Sequence, residues 1–64
     1  MQFGEKVRQE RERQELDRID LRERSGLSAS YLHEVEAGVL PASQERREKI
    51  ADALGVPLLD LEDD

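Results

Sequence analysis

The chain has no cysteine and a single histidine among its 64 residues. Without thiols there is neither a disulfide framework nor a thiolate metal site, and one imidazole cannot hold zinc by itself. Aromatic residues make up 3% and charged residues 41%, a balance that on composition alone looks disordered. Long apolar runs are missing too. Stretches such as Val56-Pro57-Leu58-Leu59 are far too short to cross a bilayer, and no apolar segment of the secretory kind follows the N-terminus. A cytoplasmic protein with no membrane insertion is therefore expected. There is no glycine-rich phosphate loop and no nucleophile with a histidine nearby in a plausible pocket. A chain this short hides only about 60% of the surface its unfolded form exposes and leaves little volume for a substrate cleft. Neither catalysis nor a cofactor is expected.

Charge is what the chain has in quantity. The net value is −6, an obstacle to nucleic-acid binding, because Lys and Arg must neutralise phosphate. The distribution is uneven. Residues 1–36 carry seven Lys/Arg against nine Asp/Glu, and residues 37–64 carry three against seven. Acidity gathers in the C-terminal part, which leaves room for a locally basic face upstream.

Periodicity and punctuation predict helices throughout. Phe3 to about Gln14 is rich in helix formers, with Phe3 and Val7 on one face. Asp17 reads as the N-cap of a second helix over roughly Arg18–Arg24, its side chain taking an amide near Asp20, with Leu21 facing inward. Gly26 is a left-handed terminator, Leu27 a staple and Ser28 the next cap, so a third helix runs from Ala29 to about Glu36 with Leu32 and Val35 inward. Gly38 stops it, Pro41 holds the following loop, and Ser43 caps a fourth helix from Gln44 to Leu54. Gly55 ends that helix, Pro57 opens a last turn containing Leu58 and Leu61, and residues 62–64 form a solvated acidic tail after a domain of residues 1–61.

The segment Leu21–Val35 thus places two helices across a tight glycine turn, the spacing of a helix-turn-helix. Phe3-Gly4, Val7, Arg11, Leu16, Leu21, Gly26-Leu27-Ser28, Tyr31-Leu32, Val35-Glu36, Gly38, Ser43, Ile50-Ala51, Ala53-Leu54-Gly55-Val56 and Leu61 together resemble, without a gap, the Cro and lambda-repressor type of helix-turn-helix domain (the XRE family). The resemblance covers nearly the whole chain. It implies an all-α, lambda-repressor-like fold of five short helices. It also implies a transcriptional regulator of the repressor type, binding a double-stranded DNA operator as a homodimer with the third helix in the major groove.

Carried over residue by residue, the resemblance puts Ser28, Ala29, Ser30, His33 and Glu34 on the exposed face of the recognition helix. Ser28 reads as an N-cap, as a point of close phosphate approach, or as both. Glu34 reads as an acceptor from cytosine or as a solvated carboxylate, and His33 as a base or phosphate contact or as a bystander. Arg18 falls where the family contacts the DNA backbone, Arg11 where an arginine pairs with the glutamate ending the third helix, here Glu36. Tyr31 is expected against the second helix with its hydroxyl available to phosphate. Arg22, Glu10 and Arg47 depart from the pattern, standing where small or apolar residues usually pack. Leu58, Leu59 and Leu61 suggest an apolar patch for dimerisation. The acidic balance, Glu34 and the lack of any Lys or Arg between Leu27 and Gln44 leave an alternative open, a protein-interaction module that has lost DNA binding and takes a cytoskeletal, polymerase or regulator partner.

Overall fold

The computed structural model describes residues 2–62. It contains α1 (Phe3–Arg13), α2 (Arg18–Ser25), α3 (Ala29–Glu36) and α4 (Gln44–Leu54), closed by a 3-10 turn at Leu58–Leu61. The fifth expected helix is that single turn, opened by Pro57. Among the described residues no helix is long and apolar enough to cross a membrane.

Local chemistry sets most of the boundaries. Asp17 Oδ1 accepts from the Asp20 amide at 2.9 Å and Asp20 Oδ2 from the Asp17 amide at 3.0 Å, a reciprocal box that starts α2. Ser28 accepts from the Tyr31 amide at 3.1 Å and Ser43 from the Arg46 amide at 3.3 Å, starting α3 and α4. Between α2 and α3 the chain reverses through Gly26 at φ 78°, a left-handed conformation that a Cβ would strain. α1 ends differently. Glu15 takes a φ of 59°, and Arg11 reaches past it to donate from Nη1 to the Leu16 carbonyl at 2.8 Å, so a side chain holds the turn that glycine holds elsewhere.

Val7, Leu21, Leu32, Ile50, Ala51, Ala53, Leu54 and Leu61 form the core, with Phe3, Leu16, Leu27, Val56 and Leu58 packed around it. α1 and α3 touch at backbone level. A Cβ on Gly4 would lie 1.9 Å from the Val35 carbonyl oxygen, so only glycine allows this approach. The three departures from the family pattern are accommodated at the margin. Arg22 is exposed. Glu10 is half-buried and accepts from Gln14 Nε2 at 2.8 Å and from Arg13, whose hydrogen bond holds its carboxyl below the usual range. Arg47 lays its guanidinium over the Phe3 ring, 5.0 Å from the centroid, and donates to the Ala42 carbonyl at 3.1 Å, its apolar stem covering what a leucine would fill.

Two expectations about the C-terminus change. Glu62 is not solvated tail: it is half-buried, its carbonyl accepts from Lys6 Nζ at 2.8 Å, and its carboxylate lies 3.9 Å from Arg47 Nη1. Two cations on α1 and α4 are near enough to fasten it. Asp63 and Asp64 lie outside the described residues. The leucine patch also shrinks, because Leu61 is buried and Leu58 packs on the core, which leaves Leu59 alone at 72% exposure.

Candidate nucleic-acid interface

The 3.6-residue period gives α3 two faces. Leu32, Val35 and Glu36 are buried, Ser28, Ser30, His33 and Glu34 are exposed, and Ala29 and Tyr31 lie between. The outward set is the one the resemblance put on the exposed face, except that Ala29 is half-buried.

Glu36 fixes the orientation of this helix. Its side chain is 2% exposed and receives Arg11 as a fork, Nε to Oε2 at 2.9 Å and Nη2 to Oε1 at 3.0 Å. Arg18 Nε approaches the same Oε1 at 3.3 Å. One carboxylate at the end of α3 is therefore bound to arginines from α1 and α2. The bidentate geometry matches guanidinium to carboxylate and fixes angle as well as distance. The Glu36 hydrogen bonds raise the Arg11 pKa above its ordinary value. The pairing expected for Arg11 is the pairing found.

The expected DNA-facing residues divide. Ser28 spends its oxygen on the Tyr31 amide and is a cap in fact, with its hydroxyl proton still able to donate. Ser30, His33 and Glu34 present their side chains to solvent without hydrogen bonds or ion pairs to other described residues, as a reading face requires. Arg18 is drawn toward Glu36, with its side chain 38% exposed, so its terminal nitrogens and not its Nε remain for phosphate. Tyr31 departs from expectation. Its hydroxyl is buried and meets no hydrogen-bond partner, so it is not the phosphate donor the sequence suggested. The half-buried ring carries the Arg46 guanidinium 4.8 Å from its centroid.

Arg46 and Arg47 were not among the residues the sequence marked for the interface. The available signal was weak: two consecutive arginines in the first turns of α4, and one tyrosine and one phenylalanine as the only six-membered aromatic rings in the chain. Most other cations are spoken for internally. Arg13 pairs with Glu10 and Lys49 with Glu45, in addition to the partners of Arg11, Arg18 and Arg47 already described. Among the described residues, no group of three or more His, Cys, Asp or Glu side chains is placed to hold a metal ion.

The sequence profile of a helix-turn-helix domain family matches residues 2–63. No curated protein and no solved structure matches the chain.

Proposed function

The chain belongs to the helix-turn-helix domain family, and from that premise we propose that it is a small transcriptional regulator that binds double-stranded DNA with sequence preference through the outer face of α3. The observation that carries this reading is the division of α3 itself. A buried, doubly paired Glu36 holds the helix against α1 and α2, while Ser28, Ser30, His33 and Glu34 are exposed on the other side. Rigid support behind and, at Ser30, His33 and Glu34, unengaged polar side chains in front are what major-groove readout needs. Small hydroxyls at Ser28 and Ser30, with Ala29 between them, let the backbone at the start of α3 come close to phosphate. Arg18 contacts phosphate through its terminal nitrogens, oriented by Glu36. A homodimer would set two such helices about 34 Å apart on a two-fold operator. Leu59 is the exposed large apolar side chain of the C-terminal turn available to its interface.

Selection of bound duplexes from a randomised DNA library tests the reading, followed by fluorescence anisotropy on the enriched duplex over a salt series. A recurring motif, bound with an affinity that falls steeply with salt, supports it; Arg18→Ala should lower the slope by about one while weakening all sequences alike. No enrichment and no binding at low salt defeats it. That outcome would favour the second reading, a protein-interaction module. Val39, exposed at 72%, and Leu40 beside it on the loop after α3 offer such a module an apolar contact next to the acidic Glu34.

A further inference from the structure

We infer that Arg46, stacked on the Tyr31 ring, is a second DNA-phosphate-binding residue, attached to α3 through that ring; the inference rests on the DNA-binding reading above. Three observations lead to it. No Lys or Arg lies between Leu27 and Gln44, so α3 and its following loop carry no cation of their own. Arg46 is brought against α3 at Tyr31, 4.8 Å from the ring centroid, whereas Arg11 and Arg18 reach that helix at its buried Glu36. It is exposed and, among the described residues, has no carboxylate partner, in a chain where acidic groups outnumber basic ones 16 to 10.

The local energetics of α4 do not account for an arginine here. Arg46 is in the first turn after Ser43, where the helix dipole disfavours a cation and favours an acid such as its neighbour Glu45. What the position does provide is a fixed plane. A guanidinium lying on an aromatic face keeps its N–H donors around its edge, and two of them can grip a phosphate side by side. Tyr31 is a stiff platform for this. Its amide is tied to Ser28, and its hydroxyl is enclosed, so the ring is held by its surroundings. The ring therefore passes a backbone grip on α4 directly to the recognition helix and fixes the register of Ser30, His33 and Glu34 on the bases. The tyrosine earns its place by its ring, not by its hydroxyl.

The test is fluorescence anisotropy with the enriched duplex between about 50 and 200 mM salt. Arg46→Ala and Arg46→Gln, each checked for parental helix content and melting, should lower the salt slope by about 0.9, and Arg46→Lys should keep it. Arg8→Ala removes the same charge from α1 and should leave the slope unchanged. Tyr31→Leu should weaken binding in the parent but add nothing once Arg46 is alanine. Parental slopes for both Arg46→Ala and Arg46→Gln overturn the inference while leaving the DNA reading intact. So does an equal drop for Arg8→Ala, which would assign the effect to net charge. A parent chain that shows no salt-dependent binding overturns the DNA reading and this inference together.

Discussion

The two faces of α3 handle polar groups in opposite ways. On the inner face a charge is buried and fully used: Glu36 is enclosed and accepts from Arg11 at two atoms and from Arg18 at one. On the outer face Ser30, His33 and Glu34 are exposed and engage no other described residue. The inner network contributes specificity of orientation more than net stability, since a buried ion pair repays its desolvation only when its geometry is good. The outer face leaves its chemistry unengaged. The comparison teaches that in a thin core one well-placed carboxylate can orient a helix that few apolar contacts hold.

The largest effect should come from breaking the inner face. Glu36→Ala leaves Arg11 buried without its partner and should cost about 3–5 kcal/mol, enough to unfold much of a domain this small. Urea or thermal melting checks it, and a loss under about 1 kcal/mol would mean that Glu36 is not the anchor. Gly4→Ala comes next, by about 1–3 kcal/mol, because the added methyl meets the Val35 backbone and forces α1 away from α3. Glu34→Ala, on the outer face, should move stability by no more than about 0.5 kcal/mol. It should instead relax base preference at one operator position while leaving or raising overall affinity, and library selection with the variant reads this directly. An equal loss on every sequence would assign Glu34 no role in base choice.

The smallest effect concerns acid. The Asp20 amide holds the Asp17 carboxyl below its usual range, and Arg13 does the same for Glu10. A carboxylate depressed in the folded state contributes stability that is full above its unfolded value near 4 and is lost as pH falls through the lower folded value. Melting temperature should therefore decline below about pH 4, and Asp17→Asn, which keeps a cap acceptor but cannot titrate, should shallow that decline. An unchanged acid limb would show that the capping box contributes nothing to it.

The parts of the fold that were legible in the sequence are those decided within a few residues. Asp17, Ser28 and Ser43 cap helices because a short polar side chain three positions ahead of an amide has little else to do. Gly26 was legible because a left-handed residue there leaves few alternatives. The Arg11–Glu36 pair came from the family resemblance and was confirmed in geometry. What was hidden depends on where long side chains end. Arg18 leaning on Glu36, Glu62 held by Lys6, and Arg46 and Arg47 lying over Tyr31 and Phe3 all join residues from different elements, and stems of several rotatable bonds take their direction from tertiary neighbours. The Tyr31 hydroxyl is the same case: the family resemblance left it available to phosphate, but only packing shows its tip enclosed.

Amide chemical-shift mapping of the nitrogen-15-labelled chain with the enriched duplex tests the central claim most directly, because it observes both faces of α3 at once. The predicted result is that the amides of residues 28–34 and of Arg46 shift together on addition of DNA, while those of Val7, Ile50 and Leu58–Leu61 stay in place. Shifts confined to Val39 and Leu40 or to the C-terminal turn, or no shifts at all at low salt, would contradict it.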